Sequence, residues 1–302
     1  DTENPVITDM PDNIALSADA GDCGATATWT VPSATDNCAL MSFVGTAAPG
    51  DYFGVGNTLV TYTAMDASGN IAASSFLVTI TDDEDPAFEN VPSNITQSTA
   101  SGDCNATVAW TAPNATDNCG IASTTTSHDP NTSFGIGITT VTYSTTDVNG
   151  RTADTTFTVT ITDDETPGIV NLPANITDSV ATGTCGAVIS WTAPTVNDNC
   201  TGASISQTAG LNSGQTFPVG TTTVEYTATD GAGNDSIASF TVTIADDENP
   251  NLDDLPADIS QGTDLDQCNA AVSWTAPSGG DNCPGWSVAR TAGPASPATV
   301  AV

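Results

Sequence analysis

The chain has no lysine, two arginines and a single histidine among its 302 residues, set against 36 acidic side chains. A net charge of -34 is repelled by nucleic acid and by anionic membrane, so neither is expected as a partner. With His128 alone there is no base for a repeated catalytic triad, and no enzyme is expected. Zinc lacks a ligand set as well, since no C-x₂-C spacing occurs and His128 has no counterpart elsewhere in the chain. No apolar run approaches eighteen residues, so no membrane insertion is expected. No stretch sustains a helical period, and hence no glycine-rich loop opens a helix to cradle phosphate. Asp1 follows neither a basic nor an apolar leader, and the chain reads as a mature or excised segment.

What is present is acid, threonine and repetition. Aspartate outnumbers glutamate by 30 to 6, and 38% of residues are hydrophobic, enough for small cores. Cysteines fall at 23 and 38, 104 and 119, 185 and 200, and 268 and 283. A tryptophan follows each first cysteine by six residues (Trp29, Trp110, Trp191, Trp274), and a proline lies three further on. The second cysteine always ends the triplet Asp-Asn-Cys. Val-x-Tyr follows in the first three repeats at Val60, Val141 and Val224, then an acidic turn at Asp66, Asp147 or Asp230, then Phe-x-Val-x-Ile at Phe76, Phe157 and Phe240. The runs TDDEDP, TDDETP and ADDENP join the units, and DTENP at the start is the same joint. Boundaries at 1–82, 83–163, 164–246 and 247–302 follow, the last repeat being partial and the whole reading as a piece of a longer array.

Within a unit the period is two, as in Cys185, Ala187, Ile189 and Trp191, which specifies half-buried strands. Seven or so short strands with one tryptophan beside a cysteine predict an all-β chain of tandem immunoglobulin-like sandwiches in a linear, rod-like array. The run CGAVISWTAP, then DNC, then FPVGTTTVEYTATDGAGN and SFTVTI resembles the hyalin repeat, or HYR domain, an Ig-like module of extracellular and cell-surface proteins. Many members carry a further cysteine on the last strand, where this chain has Ser74, Thr155 and Ala238.

Four copies of one spacing predict the local disulfides Cys23–Cys38, Cys104–Cys119, Cys185–Cys200 and Cys268–Cys283, and with them an oxidising, extracellular or cell-surface location. The first strand carries the chain away from the joint and the Cys-to-Trp strand brings it back, so the Asp-Asn-Cys loop lies at the incoming end of its unit. The Val-x-Tyr strand returns there too. Three acidic elements should therefore converge at each joint. They are Asp1, Glu3, Asp36, Asn37 and Asp66 at the first, and Asp82, Asp83, Glu84, Asp117, Asn118, Asp147 and Asn149 at the second. At the third they are Asp163, Asp164, Glu165, Asp198, Asn199, Asp230 and Asn234, and at the fourth Asp246, Asp247, Glu248, Asp281 and Asn282. With no lysine to neutralise them, these groups suit a hard cation taking six to eight oxygens, Ca²⁺ rather than Mg²⁺. The competing reading is that Asp and Asn simply favour turns. Arg151 stands where the other turns have Asn70 and Asn234, which predicts fewer oxygen ligands there.

The layout is similar to cadherin repeats, and implies a rod rising about 35 to 40 Å per unit that stiffens with metal. Sequons at Asn94, Asn105, Asn114, Asn131, Asn175, Asn199 and Asn234 are no more than the abundance of Ser and Thr produces by chance. Thr155, Ser179 and Ser236 lie in triplets that resemble an O-glycosylation motif, and covalent glycans are a further expectation. The expected function is a non-enzymatic fibre, filament or stalk whose partners are copies of itself or further repeats. The alternative is an adhesin binding a glycan or protein through its variable loops, where exposed aromatics are few beyond Phe43, Tyr52 and Phe53.

Overall fold

A computed structural model describes residues 1–301, among which there is no helix. The first repeat contains eight strands: β1 (Val6–Thr8), β2 (Ile14–Ser17), β3 (Gly24–Thr26), β4 (Ser33–Thr35), β5 (Leu40–Gly45), β6 (Tyr52–Gly54), β7 (Gly56–Asp66) and β8 (Ile71–Thr81). One sheet has the order β2-β8-β7-β5, with β2 parallel to β8 and the other pairs antiparallel. Opposite it lie two ribbons, β1 with β4 and β3 with β6. The same pattern recurs over 87–162 and again over 168–245. In the fourth repeat Asn251–Asp253 pairs with Ser278–Gly280, and Asn269–Val272 with Ala298–Ala301. The chain is all-β, as the period of two requires.

Alternation decides which face is buried. Val60 and Tyr62 on β7 and Phe76, Val78 and Ile80 on β8 point into the sandwich, where they cluster with Ala25 and Phe53 of the β3/β6 ribbon, and Ala64 is buried as well. The intervening Thr61, Thr63, Ser75 and Thr79 lie on the outer face, where Leu59 and Ile71 are also exposed, and the β-branched residues favour the pleat. Trp29, two residues past the buried Ala27, lays its ring edge-on to Phe76 at 5.2 Å. Its indole Nε1 donates to the Tyr62 hydroxyl at 2.9 Å. Trp110 with Tyr143 and Trp191 with Tyr226 repeat this bond at the same length. The two polar tips thus satisfy each other within a largely apolar interior, where either alone would cost free energy. Phe53 is core and Phe43 stacks on Tyr62 at 5.4 Å, so of the three loop aromatics expected at the surface only Tyr52 is exposed.

The disulfides correct the local pairing. Cys23 is bonded to Cys119, Cys104 to Cys200 and Cys185 to Cys283, while Cys38 and Cys268 are thiols. The reason is strand direction. Ser17 lies beside Thr81 and Ala18 N–H donates to Thr81 O, so the chain approaches Cys23 at the outgoing end of the unit, where β8 finishes. Cys38 precedes β5, whose Leu40 pairs with Asp66 at the opposite end of β7. The two cysteines of one repeat are thus a strand apart, about 30 Å at roughly 3.3 Å per residue, far beyond the Cα separation a disulfide spans. The first cysteine of one repeat instead meets the second cysteine of the next, with Cα atoms 4.6 to 4.9 Å apart. Closing loops of 96 to 98 residues is worth roughly 4.7 kcal/mol in the chain-entropy model, against about 3 for a fifteen-residue loop.

The chain divides into two compact units. One comprises Asp1–Ala100 with Asn105–Thr162, and the other Ser101–Cys104 with Asp163–Val302. The first holds the Cys23–Cys119 bond, and the second holds the other two.

Replacing Tyr62, Tyr143 or Tyr226 by phenylalanine leaves the partner indole N–H without its acceptor. Each change is expected to destabilise its own repeat by about 1 to 2 kcal/mol. Calorimetry of the three variants should show one lowered transition each, and unchanged midpoints would remove the Trp–Tyr bond from the account of the core.

Candidate cation sites at the repeat joints

In the first unit the joint Asp82–Asp85 is enclosed by three loops. The Asp-Asn-Cys loop is fixed by its own aspartate: Asp117 Oδ1 accepts from the N–H groups of Cys119 and Gly120 at 2.8 and 3.0 Å. The turn after the Val-x-Tyr strand is fixed in the same way, with Asp147 Oδ1 accepting from Asn149 and Arg151 N–H at 2.7 and 2.9 Å. Asn149 Nδ2 then reaches Asp82 Oδ2 at 2.7 Å. The third loop comes from the preceding repeat. Asn118 Nδ2 donates to Asp22 O at 2.9 Å, and Gly21 N–H donates to Glu84 Oε1 at 3.0 Å. Ser17 Oγ donates to Asp83 Oδ2, turning that carboxylate back toward the preceding repeat.

Several oxygens are left over. Asp117 Oδ2, Asn118 Oδ1 and Asp147 Oδ2 are buried with no hydrogen-bond partner among the described residues. Asp82 and Asp147 are 8% and 1% exposed. In the second unit Asp163 Oδ2, Asp198 Oδ1 and Asn282 Oδ1 are in the same state. Asp82 with Asp117, and Asp163 with Asp198, bring carboxylate oxygens within 4.8 Å of one another, and Asp1 with Asp36 does so at the first joint. The sulfurs in these groups belong to disulfides at Cys119 and Cys200, so the ligand atoms there are oxygens. Like charges this close repel by about 4 kcal/mol at an effective dielectric of about 20. Buried, anionic and unpaired acceptors are the donor set of a hard cation, and the residues fit Ca²⁺.

The HYR domain model matches residues 1–80, 81–161 and 163–244. The chain belongs to the HYR domain family. It is similar to the hyalin of Strongylocentrotus purpuratus, 37% identical over 290 residues and 93% of this chain, and to that of Lytechinus variegatus, 34% identical over 291 residues and 93% of this chain. It spans 24% and 55% of those two proteins. Sushi, von Willebrand factor type A, EGF and pentraxin domain-containing protein 1 of Rattus norvegicus is 32% identical over 160 residues, 51% of this chain and 4% of that protein. Among solved structures, Drosophila N-cadherin EC1-3 aligns with 78% of this chain and 99% of its own at 11% identity, and its TM-score of 0.32 supports no argument.

Of the residues expected at the joints, Asp1 lies close to Asp36, Asp82 to Asp117 and Asp163 to Asp198. Asp36 and Asp281 cap their Asp-Asn-Cys loops as Asp117 and Asp198 do. Asp246 accepts from Glu248 N–H, and Asp1 from Glu3 N–H. Asn234 Nδ2 donates to the Asp163 and Glu165 carbonyls, and Asn199 Nδ2 to Asp163 Oδ1 and Asp103 O. A glycan on either sequon nitrogen would have to break those bonds. Asn94 and Asn175 are exposed and spend only their carbonyl oxygens, accepting from Thr158 and Thr241 N–H.

Two contributors escaped the sequence reading. One is the backbone carbonyl before each first cysteine (Asp22, Asp103, Thr184), which accepts from the Asn of the following Asp-Asn-Cys loop. The other is the glycine two places before that cysteine. Gly21, Gly102 and Gly183 adopt φ of 77°, 76° and 73° and donate their N–H to Glu84, Glu165 and Glu248. The signal was a third repeated residue, a glycine in a conformation that suits it.

Asp66 and Asp230 are enclosed by their own turns. Burial raises each carboxyl, but bonds from the Asn70 or Asn234 side chain and from successive turn N–H groups outweigh it, holding both below the ordinary carboxylate value. Asp147 differs because Arg151 replaces that asparagine. The arginine reaches out to Asp85, with Nε and a terminal nitrogen 2.8 and 2.7 Å from Oδ1, and Asp147 Oδ2 stays bare. The substitution therefore leaves Asp147 Oδ2 without the amide donor that Asp66 and Asp230 have.

A group whose folded pKa is lowered contributes stability that is complete above its unfolded value, near 3.9, and is lost as pH falls through the lowered one. In chelator, stability should drop from about pH 4 downward, and Asp66→Asn with Asp230→Asn should flatten that slope. Urea midpoints between pH 2 and 6 measure it. Also in chelator, Arg151→Asn should restore the missing donor to Asp147 and raise the stability of the second repeat by about 1 kcal/mol, since the exposed Arg151–Asp85 pair it removes is worth little. A lower midpoint would contradict the orphaned state of Asp147 Oδ2.

Proposed function

We propose that this HYR chain is a segment of an extracellular or cell-surface structural array, a non-enzymatic fibre or stalk whose joints are stiffened by Ca²⁺. The observation that carries it is the repeated joint, in which buried carboxylate oxygens, some of them without a donor, lie within 4.8 Å of one another beside a disulfide linking consecutive repeats. The disulfides argue for an oxidising compartment. Asp117 and Asp147 would supply carboxylate oxygens, Asn118 an amide oxygen, and Asp82 a further carboxylate. The ion supplies positive charge that no lysine provides. Mg²⁺ fits less well, because it holds its waters and demands a strict octahedron. Loop surfaces give the adhesin reading little support, since Phe53 is buried and Phe43 is stacked on Tyr62.

Small-angle scattering and thermal melting of the chain, with Ca²⁺ and then with excess EGTA, test this. With Ca²⁺ the particle is expected to be long and stiff and to melt several degrees higher, and chelation should lower the midpoint and broaden the distance distribution. Mg²⁺ should restore little. Identical curves in all three conditions would make the acids solvated surface and withdraw the cation.

A further inference from the structure

Two of the disulfides between repeats sit against a pair of carboxylates. Cys119 Sγ and carboxylate oxygens of Asp82 and Asp117 all lie within 4.8 Å of one another, and Cys200 Sγ, Asp163 and Asp198 repeat the arrangement. A second sulfur reaches each group from the preceding repeat, Cys23 with its Cα 4.6 Å from that of Cys119, and Cys104 with its Cα 4.9 Å from that of Cys200. The carboxylates are oriented through one oxygen and open at the other. Asp117 Oδ1 accepts from Cys119 and Gly120 N–H while Oδ2 is bare, and Asp198 Oδ2 accepts from Cys200 N–H while Oδ1 is bare. Asp163, 8% exposed, spends Oδ1 on Glu165 N–H and keeps Oδ2 bare. Asp82 Oδ2 takes only the Asn149 amide and retains a lone pair. Asn199 Nδ2 also lies 3.5 Å from Cys200 Sγ, a donor suited to a metal-bound thiolate.

We propose that each of these joints, when its cysteines are thiols, is a zinc site of two thiolates and two carboxylates. In one the ligands are Cys23, Cys119, Asp82 and Asp117. In the other they are Cys104, Cys200, Asp163 and Asp198. The ion links consecutive repeats where the disulfide otherwise does, and holds the two sulfurs as a pair until they are oxidised. The newly made chain carries thiols at the outset, so the site precedes the bond. The oxidised joint offers oxygens alone, which suit a hard cation, whereas the reduced joint adds two soft sulfurs that favour Zn²⁺. Tetrahedral zinc, with bonds of about 2.0 Å to oxygen and 2.3 Å to sulfur, sets its ligand atoms about 3.3 to 3.8 Å apart. The sulfurs must therefore part by less than about 2 Å from their bonded distance, and the other ligand atoms close by about 1.5 Å at most. One repeat supplies a single sulfur to each joint, which is why no zinc spacing stands in the sequence. In the folded, oxidised chain a phosphine opens the site: it takes oxygen from water to become its oxide, and the S–S bond becomes two thiols that receive the two protons. Zn²⁺ then displaces both protons to solvent.

The test uses the reduced chain and shares no measurement with the Ca²⁺ experiment, so either reading stands if the other fails. The full chain carrying Cys38→Ser and Cys268→Ser is reduced with the phosphine and titrated with Co²⁺, whose visible bands report tetrahedral geometry and whose near-ultraviolet charge transfer reports thiolate. Both signals are expected, and Zn²⁺ should bleach them where excess Ca²⁺ does not. In the zinc-loaded chain the four cysteines of the two joints should alkylate slowly. Cys23→Ser should cost Cys119 its protection while Cys104 and Cys200 keep theirs. Asp82→Asn with Asp117→Asn, and Asp163→Asn with Asp198→Asn, should each weaken Zn²⁺ at one joint by at least about tenfold, with the tryptophan fluorescence of the cores unchanged. Octahedral Co²⁺ spectra, protection of Cys119 that survives Cys23→Ser, or affinities indifferent to the aspartate changes would each overturn the proposal, the last because the cysteines of an unfolded chain bind zinc without those carboxylates.

Discussion

A strand that runs the length of a sandwich holds its two ends apart, and the connectivity of this chain follows from that separation. Gly24–Thr26 and the segment through Trp29 carry the backbone from the outgoing end of the first repeat to its incoming end. A cysteine placed before the strand and another placed after it cannot meet. The bonds that form join neighbouring repeats instead, at Cys23–Cys119, Cys104–Cys200 and Cys185–Cys283. The constraint that forbids a local staple thus produces a staple between repeats. It also explains why the cores are satisfied without a disulfide through their centres: the Trp–Tyr hydrogen bond and the phenylalanines of β6 and β8 fill that space.

The joint balances two electrostatic demands. Each aspartate spends one oxygen on backbone N–H groups, which orders its loop at modest gain per bond. The loops so ordered then crowd their remaining oxygens together, where they repel. Asp66 and Asp230 escape by taking an asparagine amide on the second oxygen. Asp117, Asp147, Asp163 and Asp198 each keep one oxygen bare. Local order and mutual repulsion therefore arise from the same residues.

The period of two, the repeated tryptophan and the convergence of linker, Asp-Asn-Cys loop and turn were legible in the sequence, because each is fixed by strand direction and by residues at constant spacing. The disulfide partners were not read, although the same strand directions forbid the local pair. A constant spacing of fifteen within a unit implies an equally constant spacing of about 96 to the next, so regularity alone favours neither. Phe53 was read as a loop residue, since nothing marks Tyr52–Gly54 as a strand except its pairing with Gly24–Thr26. Which carboxylate oxygen stays bare is a matter of rotamer and of one neighbouring side chain, Arg151 against Asn, and its sign could not be read from the substitution alone.

The interrepeat disulfide and a bare carboxylate oxygen share the same loop. Cys119 and Asp117 are two residues apart, and Cys119 N–H is one of the donors that fixes Asp117 Oδ1 and so aims Asp117 Oδ2 into the joint. Asn118 between them is tied to the preceding repeat through Asp22 O. Breaking the disulfide therefore loosens the loop that orients Asp117 as well as the tether between repeats. Tether and carboxylate are held by three consecutive residues. The same triplet ends in a bonded cysteine at Cys119, Cys200 and Cys283, so the arrangement recurs along the chain.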